Sequence, residues 1–269
     1  MKTRIQILII WALCCVGIPA FSAATSLSDD ALLRIGFDQK LNVQVSLDLP
    51  FRDESGAQVK LGKYFGQRPV ILMMGYYGCP MLCTLVLNGA VESLQDIKGN
   101  IGEEFEMVYV SIDSTETPEL ATAKKQTYLK RYGRDGADSG WHFLTGEEPA
   151  VRQLADEIGF KYAYDGSVKQ FAHPSGLVIL TPEGKVSRYF FGVSFSPDEL
   201  SVALRDASSK KIGSPIERLL LLCFHYNPLR GKYGEAIMIS LRVAAGITML
   251  GLAAVVIGMG RKRSKGVVT

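Results

Sequence analysis

Residues 69–84 read PVILMMGYYGCPMLCT, and this stretch decides the fold. Its first seven residues form a continuous apolar run rich in branched side chains, which is typical of a strand buried on both faces of a sheet. From Pro80 to Ile97, apolar residues repeat at helical spacing, and a proline fits the first position of a helix. The stretch therefore predicts a buried strand that leads directly into a helix beginning at Cys79.

The two cysteines of this stretch, Cys79 and Cys83, are one helical turn apart, so both sulfurs should face the same way. The N-terminus of a helix favours a thiolate at Cys79, with a lowered pKa, and the thiolate is the form that attacks disulfides and binds metals. Two soft thiolates favour Cu(I), or zinc if four ligands are found. A redox couple, a structural disulfide and a pair of buried core thiols are the alternatives.

The segments on both sides of the stretch complete an α/β pattern. Residues 41–49 and 59–61 predict an N-terminal β-hairpin. Two further buried strands are predicted at 105–112 and 177–181, and a returning antiparallel strand at 185–192. Three helices are predicted at 118–132, 148–159 and 196–207. Alternating buried strands and helices predict a parallel core with an antiparallel edge. This order predicts a thioredoxin-like fold with an N-terminal β-hairpin.

A third ligand for a metal is sought among three histidines. His173 precedes the third core strand, and in a parallel sheet we expect that loop to lie beside the start of the first helix. Pro174 follows it, and we expect the His173–Pro174 bond to be cis, as in many thioredoxin-like proteins. The alternative is that His173 is a plain loop residue. His142 is interpreted as an ordinary surface or half-buried residue.

Both ends of the chain carry export and membrane signals. Residues 1–24 combine early positive charges, an apolar run and small residues at the cleavage positions, which predicts a signal peptide; an N-terminal membrane anchor is the alternative. Residues 236–260 are strongly apolar and predict a transmembrane helix, and the basic tail 261–269 is placed in the cytoplasm by the positive-inside rule. The domain at 25–205 and a linker with a juxtamembrane segment at 206–235 would then lie on the periplasmic side of the inner membrane.

The net charge and the number of cysteines limit the kinds of partner and site that the sequence supports. The net charge is +3 with four positive residues in the tail, so no basic stripe indicates a nucleic-acid partner. After removal of the signal peptide three cysteines remain, an odd number, and the third is Cys223. Together with His225 it forms a Cys-x-His pair, a candidate second soft-metal site or transfer point. The alternative is an incidental thiol in a short amphipathic segment.

With these residues placed, residues 38–205 resemble the Sco/SenC family of membrane-tethered, copper-binding, thioredoxin-like proteins. The resemblance is carried by four features: the cysteine pair with Pro80, Ser111-Ile112-Asp113 followed by Thr117-Pro118, Phe143-Leu144-Thr145-Gly146, and His173. It implies that Cys79, Cys83 and His173 are copper ligands, for Cu(I), Cu(II) or both. It also implies a metallochaperone that delivers copper to, or reduces the cysteines of, the dinuclear copper centre in cytochrome c oxidase subunit II or another exported copper protein.

The chain departs from the family pattern around the predicted site. Thr84 stands where the family usually has a proline, Ala172 where an aspartate usually precedes the histidine, and Met81 and Leu82 where an acidic residue is common. Fewer carboxylates near the site predict a lower affinity for the harder Cu(II) relative to Cu(I). The predicted anchor is also C-terminal, whereas the family is commonly anchored at the N-terminus.

Two enzyme classes compete with the copper chaperone. A thiol-disulfide oxidoreductase acting on exported proteins needs the same two cysteines but not His173. A peroxidase of the peroxiredoxin type needs a threonine or serine three residues before the reactive cysteine, and Tyr76 stands there. The peroxidase is therefore the weakest of the three interpretations.

Overall fold

The computed structural model of the chain describes residues 34–79 and 82–213, together with Ala244 and Thr248. Within these residues the chain forms eleven strands and four α-helices. Their bounds in chain order are β1 (Gly36–Phe37), β2 (Pro50–Arg52), β3 (Gln58–Lys60), β4 (Val70–Gly75), α1 (Leu82–Asp96), β5 (Glu106–Ser111), α2 (Pro118–Tyr132), β6 (Trp141–Leu144), α3 (Glu148–Glu157), β7 (Phe160–Lys161), β8 (Ala163–Asp165), β9 (Gln170–Ala172), β10 (Gly176–Leu180), β11 (Val186–Phe191) and α4 (Pro197–Ser208).

A five-stranded sheet in the order β11-β10-β4-β5-β6 forms the centre of the fold. Strands β4, β5 and β6 are parallel, and all six residues of β4 are buried. Ile71 and Met73 belong to the core cluster that also contains apolar residues of α1, α2 and α4, whereas Leu72 and Met74 belong to the cluster with α3. The apolar run of β4 is continuous because both of its faces are covered by core.

The direction of the third core strand differs from the prediction, which was a strand parallel to its neighbours. Strand β10 is antiparallel to β4, with Val178 opposite Leu72 and Leu180 opposite Val70. The prediction was wrong because strands β7 to β9, which were not foreseen, lengthen the connection after α3 and bring the chain to the other edge of the sheet. Strand β10 therefore begins at the edge where β4 ends, and this orientation places the loop before β10 beside the start of α1. A parallel β10 would have left that loop at the opposite edge.

The N-terminal hairpin is shorter than predicted. Strands β2 and β3 pair from Pro50 opposite Lys60 to Arg52 opposite Gln58, as an antiparallel ladder. Residues 41–49, expected to form its first strand, contribute instead a single bridge from Gln44 to Lys185. The alternation of apolar residues in 41–49 arises because Val45 and Leu49 pack into the core from an irregular segment.

The chain divides into two units, Met1–Gly213 and Ser214–Thr269. Among the residues that the structure describes, no helix has both the length and the apolar character needed to cross a membrane. The predicted signal peptide, the transmembrane helix at 236–260 and the tail at 261–269 lie outside the described residues, apart from Ala244 and Thr248. The Thr248 hydroxyl donates to the Ala244 carbonyl at 2.8 Å. These segment assignments stay predictions.

Candidate metal centre

Three side chains meet at the edge of the sheet where β4 ends and β10 begins. Cys79 follows β4 after a short turn, Cys83 lies in the first turn of α1, and His173 lies between β9 and β10. The two sulfurs and one imidazole nitrogen are within 4.8 Å of one another. In the described part of the chain this is the one group of three or more His, Cys, Asp or Glu side chains arranged to hold a metal ion, and we refer to it as the Cys-Cys-His cluster.

The two hydrogen-bond partners of the His173 ring determine its tautomer. The Cys83 Sγ is 2.9 Å from the His173 Nε2, and both residues are buried. On the other side of the ring, Nδ1 is 2.9 Å from the carbonyl oxygen of Pro174. A carbonyl oxygen only accepts, so the hydrogen-bond network assigns the proton to Nδ1, and the Nε2 lone pair points at the sulfur. This is the tautomer in which a histidine binds a metal through Nε2, and a carbonyl partner on the other nitrogen is common among metal ligands.

The two cysteines are held as thiols rather than as a disulfide. The main-chain N–H of Cys83 donates to the Cys79 Sγ at 3.4 Å, so Cys79 accepts at the start of α1 as a capping side chain does. The hydrogen bond with Cys79, followed by burial, raises the pKa of the Cys83 thiol far above its usual range. Cys83 therefore carries a proton at neutral pH, and its S–H can donate to the His173 Nε2. The lowered pKa expected for Cys79 stays a prediction.

Aromatic side chains surround the imidazole. The Phe160 ring lies roughly parallel to the His173 ring at 5.9 Å between centroids, and the Tyr76 ring meets it edge-on at 6.1 Å. Phe171 in turn contacts Tyr76 at 5.7 Å. Burial is the main cause that raises the pKa of Tyr76, so its hydroxyl stays protonated and its ring serves as a wall of the site. These contacts fix the ring plane of His173 and keep water from its metal-facing nitrogen.

A carboxylate that was not predicted from the sequence supports the backbone before Cys79. Glu116 accepts hydrogen bonds from the main-chain N–H groups of Tyr77 and Gly78, at 2.7 and 2.6 Å, and from the Ser111 hydroxyl at 2.6 Å. It lies between β5 and α2, and β5 ends beside β4 because the two strands are parallel. The one sequence signal was its position inside the Ser111–Pro118 block that carries the family resemblance. Glu116 therefore holds the backbone that precedes Cys79.

A Glu116→Gln variant is expected to weaken metal binding by the Cys-Cys-His cluster. The amide nitrogen cannot accept a hydrogen bond, so either Gly78, which donates to Oε1, or both Tyr77 and Ser111, which donate to Oε2, lose their acceptor. Removal of a supporting group around a metal site typically costs about 10–100-fold in affinity. Anaerobic Cu(I) competition titration measures the loss, and the exposed Glu119→Gln, on α2, is the matched control. Equal affinities for the Glu116→Gln variant and the wild type would show that the hydrogen bonds of Glu116 do not position Cys79.

Metal binding is also expected to strengthen as pH rises. The raised pKa of Cys83 means that an incoming metal must displace its proton, and metal affinity falls when ligands are protonated. One displaced proton makes the apparent affinity rise about tenfold per pH unit below that pKa. Apparent Cu(I) affinity measured at several pH values near neutrality checks this slope, with correction for the competing chelator. A flat profile would mean that Cys83 is already a thiolate or is not a ligand.

The structure thus brings together the three predicted ligands, Cys79, Cys83 and His173; that they bind metal stays a prediction. The described residues contain no cis peptide bond, so the cis His173–Pro174 bond was wrongly predicted. The trans isomer is the default for X-Pro bonds, and the His173 imidazole is the group that lies within reach of both sulfurs. Cys223 and His225 lie outside the described residues.

His142 is half-buried in β6, as expected. Its Nε2 is 3.3 Å from the Glu106 carboxylate, and its ring stacks on Tyr64 at 4.1 Å between centroids. It is not a member of the Cys-Cys-His cluster. This makes His142 a suitable control position for substitutions of His173.

Comparisons with known proteins show which family and which solved structures the chain is similar to. Residues 39–208 match the family described as SCO1/SenC. The chain is similar to a solved structure from Aquifex aeolicus VF5, for which a role in electron transfer has been suggested, with 27% identity, a TM-score of 0.55 and coverage of 63% of this chain and 95% of that one. It is also similar to BsSco, a member of the Sco family of cytochrome c oxidase assembly proteins in which a disulfide switch was identified, with 18% identity, a TM-score of 0.50 and coverage of 65% and 99%.

A third similar structure is Arabidopsis thaliana ScoI with copper bound, at 18% identity, a TM-score of 0.48 and coverage of 61% of this chain and 99% of that one. No curated protein matches the chain significantly. The structural likeness confirms the predicted α/β thioredoxin-like fold of the described domain. Since the matched region spans well over half of the chain, this protein belongs to the SCO1/SenC family.

Proposed function

We propose that this protein binds copper through Cys79, Cys83 and His173 and passes it to an exported copper protein. The observation that carries the proposal is the Cys-Cys-His cluster, whose three donors are within 4.8 Å of one another. Two sulfurs and an imidazole nitrogen are soft or intermediate donors, and no carboxylate belongs to the cluster, so the donor set favours Cu(I). Three protein ligands are also fewer than the four of a structural zinc site, which suits a metal that has to leave again.

The exposure of the cluster supports a transfer role. Cys79 is 9% exposed and follows Gly78, which is exposed, whereas Cys83 and His173 are 2% and 5% exposed. A ligand from a partner protein can therefore approach on the Cys79 side. Copper would then move by stepwise ligand exchange, in which Cys79 is the first ligand to be replaced.

Cytochrome c oxidase subunit II is the first candidate for the recipient. BsSco, which shares this fold, is described as a member of a family of cytochrome c oxidase assembly proteins, and this chain belongs to the same family. Export and tethering by a C-terminal helix would bring the site to the side of the membrane where exported copper proteins are assembled. That location rests on the sequence of residues 1–24 and 236–269 alone.

A transfer assay tests this function. The full chain, loaded anaerobically with one equivalent of Cu(I), is mixed with the copper-free soluble domain of oxidase subunit II, and copper is quantified in each protein after separation. The proposal expects copper to appear in the recipient and to leave this chain. If copper stays while the recipient's disulfide is reduced, the chaperone role is wrong.

A thiol-disulfide oxidoreductase is the second candidate. The specific observation in its favour is that the two thiols are adjacent, with Cys83 N–H bonded to Cys79 Sγ at 3.4 Å, and are not joined. In this role the more exposed Cys79 would attack a partner disulfide and Cys83 would resolve the mixed disulfide. That reaction does not use His173 as a ligand, and the effect of removing His173 therefore separates the two functions.

A further inference from the structure

Tyr109 carries a buried hydroxyl that the fold does not explain. The residue lies in β5, is 1% exposed, and its hydroxyl oxygen has no hydrogen-bond partner within the described part of the chain. Buried polar groups in native proteins are nearly always paired, and an unpaired one calls for a reason. A phenylalanine would fill the same space without the unpaired oxygen, so the reason should lie in what the hydroxyl faces.

The Tyr109 hydroxyl faces the sulfur of Cys83. Gly75, the last residue of β4, marks the place where they meet: a Cβ atom on Gly75 would lie 2.2 Å from the Tyr109 hydroxyl oxygen and 3.1 Å from the Cys83 Sγ. The glycine thus leaves open the space in which the hydroxyl and the sulfur approach each other. Cys83 and Tyr109 line a small crevice together with His173 and Met73, and we refer to it as the Cys83 crevice. No acidic or amide side chain is among the residues that line it.

The strength of a hydrogen bond from the Tyr109 hydroxyl depends on the charge of the Cys83 sulfur. In the metal-free protein the Cys83 thiol can donate to His173 at 2.9 Å, and a neutral thiol sulfur is a weak acceptor. A metal that replaces the thiol proton leaves a negatively charged sulfur, which is a much stronger acceptor. The tyrosine hydroxyl keeps its proton at neutral pH and is placed to donate to that sulfur.

We propose that the Tyr109 hydroxyl donates a hydrogen bond to the metal-bound Cys83 sulfur and thereby sets the preference of the site for Cu(I) over Cu(II). This inference rests on the proposed copper binding and adds a positioning residue to it. A hydrogen bond to a copper-bound sulfur draws electron density from it, which weakens its donation to Cu(II) more than to Cu(I). Gly75 has the supporting role of keeping space for the hydroxyl.

A Tyr109→Phe variant tests the inference, because it removes the hydroxyl alone and keeps the ring contacts with Tyr77 and Phe143. Tyr132→Phe is the matched control: Tyr132 is also 1% exposed, but its hydroxyl bonds to Asn100 and it is not among the residues of the Cys83 crevice. In the full chain, the Tyr109→Phe variant is expected to shift the sulfur-to-copper charge-transfer band of the Cu(II) form to lower energy. The ratio of Cu(I) to Cu(II) affinity should fall about tenfold, and the control should change neither.

The outcomes separate this inference from the proposed function. If wild-type protein binds copper and the band and affinity ratio of Tyr109→Phe equal those of the wild type, the inference is overturned and copper binding stands. If the Tyr132→Phe control shifts them equally, the effect is general to buried hydroxyls and the inference is again overturned. If wild-type protein binds no copper, both the proposed function and this inference are wrong.

Discussion

A Cys83→Ser variant is expected to bind Cu(I) roughly 100- to 700-fold more weakly than the wild type. Structural zinc sites with four thiolate or imidazole ligands bind with about 10–16 kcal/mol, so one ligand contributes about 3–4 kcal/mol. Each 1.4 kcal/mol is about a tenfold change in affinity, which gives the expected loss. The serine hydroxyl has nearly the size of the thiol, and its oxygen is a poor ligand for a soft cation. Anaerobic competition against a chromophoric Cu(I) chelator measures the change.

Thr84→Ser is the control for the Cys83→Ser variant, because it makes a similarly small change at the next position of α1. Its Cu(I) affinity should stay within about twofold of the wild type, because Thr84 is not a member of the Cys-Cys-His cluster and a substitution that removes no ligand or buried partner typically changes energies by about 0.5 kcal/mol or less. Thermal unfolding of both variants shows whether the domain is intact. Wild-type affinity in a folded Cys83→Ser protein would remove Cys83 from the ligand set.

A His173→Ala variant is expected to lose Cu(II) binding and to keep part of its Cu(I) binding. The two thiolates can still hold the soft Cu(I), whereas Cu(II) depends more on the imidazole nitrogen. Loss of one of three ligands should cost at least about 100-fold for Cu(II) by the same estimate of energy per ligand. The variant should nevertheless still reduce a disulfide substrate, because Cys79 and Cys83 remain. Parallel Cu(I) and Cu(II) titrations and a disulfide-reduction assay give the three readouts.

His142→Ala is the matched control for the His173→Ala variant. It removes a half-buried imidazole that is not part of the Cys-Cys-His cluster, so copper binding should be unchanged. If the His173→Ala and His142→Ala proteins bind copper equally well, His173 is not a ligand. Retained disulfide reduction would then favour the oxidoreductase.

The sequence predicted the part of the site that depends on local pattern. The apolar run of β4 and the helical spacing after Pro80 placed both cysteines at a strand-to-helix junction, and the structure has Cys83 in the first turn of α1. His173 was also placed beside them, although for an incorrect reason. It reaches the cysteines because β10 is antiparallel to β4, and strand direction depends on a connection that includes three short strands, β7 to β9.

The rest of the site depends on tertiary contacts that leave no periodic signal. Glu116 looks like an ordinary loop acid until β5 is paired with β4 and its carboxylate meets the main chain of Tyr77 and Gly78. Tyr109 looks like one more apolar residue of a buried strand, and the role of its hydroxyl becomes visible only from its closeness to Gly75 and the Cys83 sulfur. Strand β6 was missed because its four residues include His142 and are too few for a pattern.

X-ray absorption at the copper edge tests the central claim most directly. The sample is the full chain with one equivalent of Cu(I), loaded anaerobically, in a Cys223→Ala, His225→Ala background that removes the candidate second site. The Cys-Cys-His cluster predicts a first shell of two sulfurs and one imidazole nitrogen, and loss of the nitrogen contribution in the His173→Ala protein. A first shell without an imidazole, or one that does not change when His173 is removed, would contradict the account.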